Sequence, residues 1–498
     1  MKNVGCRLAY WRSISAAVLI LAGLLLSGGE ASARDLTLQQ ALDLAVDQSA
    51  RGGIIKGNFE VADQKYRAKR INFYLPEISI NGSIPAYNED ETYRLFGAAT
   101  TKQLYNTREL SWRSFIRLKQ SLITGGDLEV TANLRKSSER YPLIGSSDGV
   151  FIDEDNQQGY FELSYAQPLL KPSEPRNDLY NRRDEREIAL YTRFEEVTTL
   201  RTEVTEAYMG LLRAQLALDV ASDKAEKATL AADIDSIKFS DGVISEEDLL
   251  ESQSARLDAQ LEQFEAEIDA GESQRELAML LDLDVNEPFT LVVPEDMLAM
   301  ASETRAQYER EWENTVAIKK AEYQYKKARR AADYAVGTHG LNGDLALTYS
   351  FGKEDVNRDI GSVAFEDDIN TNSWGVSLNF TYPLWDGGSS SAEVQASQFQ
   401  AEQARLEFKQ ARQSAQAEIA NLLNRLDVSS QRLDIVRKQI ELAASKLDIA
   451  ETRLADGQIS QLTYLESRVF YLETKDRYYE ELKDYLVNRI ALEGKFAI

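Results

Sequence analysis

The strongest constraint on this chain is that its plan occurs twice. Asp241-Gly242-Val243-Ile244-Ser245 returns as Asp456-Gly457-Gln458-Ile459-Ser460, and Leu250-Glu251-Ser252 returns at the same offset as Leu465-Glu466-Ser467. The approach repeats as well, Gln167-Pro168-Leu169-Leu170 becoming Tyr382-Pro383-Leu384-Trp385. The interval from Pro168 to Gly242 equals that from Pro383 to Gly457. Such self-similarity means one structural unit built twice. Each unit reads as strands, a long helix, a sharp turn and a helix back, which is the outline of a tube with a turn at its end.

The long helices are legible from their apolar spacing. Ala401, Ala404, Phe408, Ala411, Ala415, Ile419, Leu422 and Leu426 step by three and four, and Leu433, Ile440, Leu447 and Leu454 continue by sevens. Leu200, Val204, Ala207, Leu211, Leu218, Ala225, Ala232 and Phe239 make the matching stripe in the first unit. This is coiled-coil packing sustained over many turns, with alanines that let helices approach closely. The second rod, from about Ala392 to Leu454, would be roughly 90 Å long at 1.5 Å per residue. Gly242 and Gly457 suit the left-handed end of a helix, and Ser245 and Ser460 suit the caps of the returning helices, 246–283 and 461–494. A first helix opens at Thr37 with Leu38, Ala41, Leu42 and Ala45 on one face. Gly52, Gly53 and Gly57 are expected to interrupt it before a second run to Phe73. The segment Phe289 to Val293 reads as a linker, and 304–335 as one helix.

Between these helices lie stretches of period two. Leu128, Val130, Ala132 and Leu134 alternate with Glu129, Thr131, Asn133 and Arg135, and Phe161, Leu163 and Tyr165 with Glu162, Ser164 and Ala166. The second unit repeats the pattern with Leu345, Leu347, Tyr349 and Phe351, then Trp374, Val376, Leu378, Phe380, Tyr382 and Leu384. One face of each strand is therefore apolar and rich in aromatic residues, as at a membrane interface. Residues 136–158 and 353–372 read as polar loops between paired strands. Strands of about 9–11 residues suffice to cross a bilayer. Residues 76–122 form an extra stretch in the first unit, strand-like at 77–82 and 115–123, without an assigned place.

The first 33 residues read as a secretory signal: Lys2, Arg7 and Arg12, an apolar run from Ile14 to Leu26, and the cleavage site Ala31-Ser32-Ala33. The one cysteine, Cys6, precedes that run, so the mature chain would have no disulfide, thiolate metal site or cysteine nucleophile. After residue 33 nothing is apolar for about 18 residues, so a contact with lipid must be made by strands. A net charge of -24 disfavours nucleic acid as a partner. His339 is the one histidine, which leaves no triad and no His-based metal site. No catalytic residue, cofactor site or metal site is expected. Among many carboxylates, Asp248 and Glu251 stand one turn apart just past the first tip, and Glu466 matches Glu251 past the second. Around an axis they would ring a narrow end and select cations; on an isolated hairpin they would only solubilise its end.

The duplicated plan resembles the TolC family of outer-membrane efflux and secretion channels. The resemblance is carried by Leu36-Thr-Leu-Gln-Gln-Ala-Leu-Asp-Leu-Ala45, Leu75-Pro76-Glu-Ile-Ser79, Gln167-Pro-Leu-Leu170, Tyr382-Pro-Leu-Trp-Asp-Gly-Gly388 and the two Asp-Gly tips followed by Leu-Glu-Ser. It implies a mainly α protomer with long helical hairpins and about four membrane strands, three copies of which close a twelve-stranded barrel above a periplasmic tunnel. It further implies a homotrimer in the outer membrane of a Gram-negative bacterium, with a periplasmic adaptor and an inner-membrane RND pump or ABC exporter as partners. The adaptor-docking tips carry over to Asp241, Gly242, Val243, Asp456, Gly457 and Gln458, and the periplasmic gate to Asp248, Glu251 and Glu466. Thr463 stands where the second tip would have its first gate acid, and Ser49 to Gly53 replace the family's Asn-Pro-Glu turn. The expected organisation is a signal at 1–33, a first repeat at 34–285 with its tip at 241–245, a linker at 286–303, and a second repeat at 304–498 with its tip at 456–460. The expected function is a passive export duct of a tripartite efflux pump or type I secretion system. The alternative is a periplasmic or surface coiled-coil scaffold or adhesin, which needs no lipid-facing strands.

Overall fold

The alternation and the heptads resolve into six long strands and two pairs of very long helices. The computed structural model describes residues 34–94, 103–143, 150–285, 289–294, 302–360, 363–382 and 384–496. The secretory signal at 1–33 with Cys6, and Pro288 and Pro383, lie outside the described residues.

The first unit contains β1 (Arg34–Leu36), α1 (Leu38–Asp47), α2 (Ala50–Tyr74), β2 (Glu77–Arg94), β3 (Gln103–Ser121), β4 (Asp127–Pro142), β5 (Phe151–Pro168), α3 (Glu174–Ser240) and α4 (Glu246–Leu281). After β6 (Phe289–Leu291) the second unit contains α5 (Ser302–Arg310), a 3-10 turn at Trp312–Asn314, α6 (Val316–Thr338), β7 (Asn342–Ile360), β8 (Val363–Thr381), α7 (Ser389–Ala455) and α8 (Gln461–Glu493). The two descending helices α3 and α7 have the same length, 67 residues, or roughly 100 Å.

The fold class is the expected one, but the strand count is not. The large sheet has six strands in the order β2-β3-β4-β5-β7-β8, each neighbour antiparallel. The unplaced stretch 76–122 supplies two of them. Residues 136–158 and 353–372 are not loops either. Strands run on through most of both, so that each strand has 16 to 19 residues. Polar side chains on both faces erase the period-two signal, yet the backbone ladder continues, helped by charge pairs such as Arg358–Glu154 at 2.8 Å and Lys353–Asp368 at 3.1 Å.

Three expectations outside the large sheet change in detail. α2 runs unbroken through Gly52, Gly53 and Gly57; the break falls at Gln48, and Ser49 caps α2 by accepting from the Gly52 N–H at 3.0 Å. Gly52 is glycine because a Cβ there would stand 2.3 Å from the Val46 carbonyl oxygen. The expected helix 304–335 is divided into α5 and α6 by the turn at 312–314. The apolar segment 289–293 is not plain linker: β6 pairs in parallel with β1, Leu36 opposite Leu291.

The core lies at mid-length, where that small sheet meets the helices. Leu38, Ala41, Leu42 and Ala45 of α1 are buried with Leu200, Val204 and Leu211 of α3 and Leu482 and Leu486 of α8. Each leucine so buried contributes about 1.5–3 kcal/mol. Below the core the helices lie side by side in the order α4-α3-α8-α7, and above it in the order α2-α3-α6-α7.

Candidate functional site

The chain presents three candidate surfaces: two helical tips, a set of charges joining the hairpins, and an uncovered apolar ribbon.

The tips are near-copies. Past Asp241, Gly242 takes φ 72°, its N–H donates to Phe239 O and the Val243 N–H to Lys238 O. Past Asp456, Gly457 takes φ 68°, donates to Leu454 O, and the Gln458 N–H donates to Arg453 O. Both are helix ends in which a left-handed glycine satisfies the last carbonyls. Asp241, Gly242, Val243, Asp456, Gly457 and Gln458 are all exposed. The returning helices then start from serine caps, Ser245 accepting from the Asp248 N–H and Ser460 from the Thr463 N–H.

The three expected gate acids are in different situations. Asp248 closes a capping box, its carboxylate accepting from the Ser245 hydroxyl at 2.7 Å and the Ser245 N–H at 3.0 Å. Those hydrogen bonds, the hydroxyl's first, hold its pKa below the ordinary value. Thr463 occupies the same cap position in the second tip, where its hydroxyl pairs with that of Ser460 at 3.0 Å. Glu251 is exposed on α4. Glu466 reaches across to Lys227 of α3 at 3.0 Å.

That last contact belongs to a series the sequence did not suggest. Going up from the tips, α3 and α8 are joined by Lys227–Glu466, Asp223–Arg468 at 3.0 Å, Lys224–Glu473 at 3.1 Å and Arg213–Asp476 at 2.8 Å. Burial raises the pKa of Asp223 despite the Arg468 charge. The one sequence signal is the spacing of complementary charges on the two helices, legible only once α3 and α8 are known to be neighbours. Each of the three more exposed pairs contributes about 0.2–1 kcal/mol, while the Asp223 carboxylate is buried and its pairing is offset by the cost of desolvation.

The sheet carries the ribbon. Its registers align Ile78, Leu118, Val130, Leu163, Tyr349 and Trp374 in one row across all six strands. Ile80, Ile116, Ala132, Phe161 and Phe351 form the next. Among the described residues nothing covers this face: Ile80 and Trp374 are each 78% exposed. The opposite face carries Arg117, Glu129, Glu162 and Asn133. Leu128 to Leu134 spans about 20 Å along the strand, close to the height of a lipid-facing band. Among the described residues no helix is long and apolar enough to cross a membrane.

Two further stripes are bare at the sides of the hairpins. α4 shows Leu250, Leu257, Leu261, Phe264 and Ile268; α7 shows Val428, Ile435, Leu442 and Ile449, spaced by sevens, with Leu442 73% exposed. Spacing of this kind is half of a coiled-coil seam.

The family model of outer membrane efflux proteins matches residues 127–282 and 308–494, over half of the chain. The chain belongs to the outer membrane efflux protein family. The two matched segments are the two repeats, and the first begins at the first residue of β4, leaving β2 and β3 outside it. Solved structures share the fold. A membrane protein from Pseudomonas aeruginosa has 15% identity and a TM-score of 0.59 over 93% of this chain and 91% of that one. The outer membrane protein VceC from Vibrio cholerae has 12% identity and a TM-score of 0.54 over 92% and 96%. The open state of the Neisseria gonorrhoeae MtrE outer membrane channel has 15% identity and a TM-score of 0.56 over 92% and 88%. No curated protein matches the chain in sequence. This outer membrane efflux protein is a channel protein of the Gram-negative outer membrane that extends into the periplasm, and the scaffold alternative is set aside.

Proposed function

We propose that this efflux protein is the passive outer-membrane duct of a tripartite efflux pump or type I secretion system, working as a homotrimer. The observation that carries the reading is the apolar row from Ile78 to Trp374, uncovered and level across the sheet, above two helical hairpins of similar length. The ribbon sits in lipid, and the rods enclose a periplasmic bore. The bare stripes on α4 and α7 meet between copies. A periplasmic adaptor docks at the tips, Asp241, Gly242 and Val243 with Asp456, Gly457 and Gln458, and an RND pump or ABC exporter in the inner membrane supplies the energy. Residues 1–33 act as the secretory signal, ahead of repeats at 34–285 and 304–498 joined by 286–303.

The gate is the tip region. Asp248, Glu251 and Glu466 lie near its constriction, and the ties from Lys227–Glu466 up to Arg213–Asp476 hold the two hairpins closed. Opening is an iris-like parting of α3 from α8 that breaks these pairs in order from the tip.

Single-channel recording in planar bilayers tests this. Wild type is expected to show a small, cation-preferring resting conductance. Lys227→Ala and Glu466→Ala are each expected to raise it, with the double variant no higher than either, because they share one contact. Unchanged conductance and ion preference in Asp248→Asn, Glu251→Gln and Glu466→Ala would reject the gate assignment; no conductance from wild type would reject the duct.

A further inference from the structure

We infer that the β2–β3 hairpin is part of the membrane wall, and that the barrel closes by pairing β8 of one copy with β2 of the next. Three copies of six strands then make eighteen, not the twelve expected from four strands each. This rests on the reading of the chain as a trimeric outer-membrane duct.

The hairpin is built to the same height as the rest of the sheet. Its apolar side chains Ile78, Ile80, Ile116 and Leu118 fall in the same two cross-strand rows as Val130, Ala132, Phe161 and Leu163. A hairpin lying over the mouth or against the outer surface would have no reason to hold that register. Its polar face is matched as closely. Arg117 of β3 meets Glu129 of β4 at 2.7 Å, Glu109 meets Arg135 at 2.8 Å, and Lys119 meets Asp127 at 3.6 Å. Each pair is weak, but three in sequence on one face fix register and place the hairpin's charges on the water side with those of β4.

The edges decide where closure occurs. β4 has partners on both sides, β3 and β5, so the free edges are β2 and β8, with 18 and 19 residues. An unpaired edge of that length has no stable place in lipid, where each unmet N–H and C=O is costly. Six is an even number, so β2 and β8 run in opposite directions, and β8 meets the next copy's β2 antiparallel like every other pair in the sheet. The helices point the same way. α7, continuing from β8, carries the bare stripe Val428 to Ile449, while α4, on the opposite flank, carries Leu250 to Ile268. α2 meets β3 on that same flank, the Gln120 amide donating to Phe73 O at 3.1 Å. Each copy thus has one β8/α7 side and one β2/α2/α4 side, the arrangement that closes a ring head to tail. Barrel diameter grows roughly linearly with strand number, so the added hairpins widen the pore through the outer membrane by about half.

Disulfide scanning in intact outer membranes tests the closure, starting from a Cys6→Ser chain that has no other cysteine. One cysteine is fixed in β8, at Ser373 or Ser377, and the second is moved along β2 from Ser79 to Glu89 or, in a parallel series, along β4 from Glu129 to Ser137. Covalent trimers on denaturing gels from one β2 position and its neighbours, with the β4 series silent, are expected. Trimers from β4 instead would overturn the eighteen-stranded wall while leaving the duct intact. Silence in both series overturns it too, and wild-type conductance then tells whether the duct reading fails with it. A second variant lacking residues 77–121 is read by open-channel conductance: a fall of about twofold, in line with the smaller lumen, is expected, and an unchanged value counts against the hairpin as wall.

Discussion

Tyr208 shows how much can hang on one side chain. It is fully buried, and its hydroxyl lies 2.6 Å from Leu36 O and 2.7 Å from Val292 O while accepting from the Val292 N–H at 2.9 Å. It therefore pins both strands of the β1–β6 pair to α3. Tyr208→Phe takes the hydroxyl away from Val292 O and leaves the Val292 N–H and Leu36 O only their mutual hydrogen bond at 3.2 Å, and a loss of about 1–3 kcal/mol is expected, read as a lower melting temperature of the detergent-solubilised protein. Burial pushes the Tyr208 pKa up to about 12. Its folded pKa is above its unfolded one, so the stabilising contribution is complete below about pH 10 and is lost as pH rises to 12. Wild type should lose stability over that window more than Tyr208→Phe does. Asp386 is the opposite case: hydrogen bonds from Ser390 first, then from the Gly388 N–H, bring its pKa to about 2. Its help to the start of α7 is present above its unfolded value of about 4 and fades as pH falls toward 2. Neither role was legible beforehand. Tyr208 stands one place from the Val204–Ala207–Leu211 stripe, and what it binds is remote in sequence.

At the scale of elements, glycine has opposite meanings in two places. Gly457 has φ 68° with open space around its Cα, so Gly457→Ala meets no clash but forces an L-residue into the left-handed region, at about 1–2 kcal/mol. Gly57 sits inside α2, also with open space; there Gly57→Ala should stabilise by about 0.4–1 kcal/mol. Thermal unfolding of the two variants against wild type should move in opposite directions. The tip was readable because its turn chemistry is local and repeated. The helices were readable because a stripe of threes, fours and sevens survives any tertiary setting. The strands were only half readable. Along the apolar rows, alternation marks them; past those rows both faces are polar, and Arg140, Asp153, Glu154 and Arg358 look like loop residues although they lie in continuous ladders. Of the pair β2–β3 only 77–82 and 115–123 read as strand-like, for the same reason, since Asn88 to Thr92 and Arg113 to Ser114 interrupt any apolar pattern.

For the whole molecule, the proposed trimer depends on faces that a single copy leaves bare. Leu442→Glu puts a charge in the middle of the α7 stripe, and a shift from trimer to smaller species by light scattering is expected, while the isolated hairpin keeps its helicity by circular dichroism. Retention of a stable trimer would mean that the stripe faces something else. The four strands expected of each copy fall short of the six in the sheet, because strand number depends on pairing across the sheet and not on any local pattern. The descending helices α3 and α7 have the same length, so in the proposed trimer the lower mouth would have a rim of six near-equivalent feet. Adding a heptad to one rod and not its twin would step that rim, leaving alternate feet short of the floor while every packing layer above stayed sound.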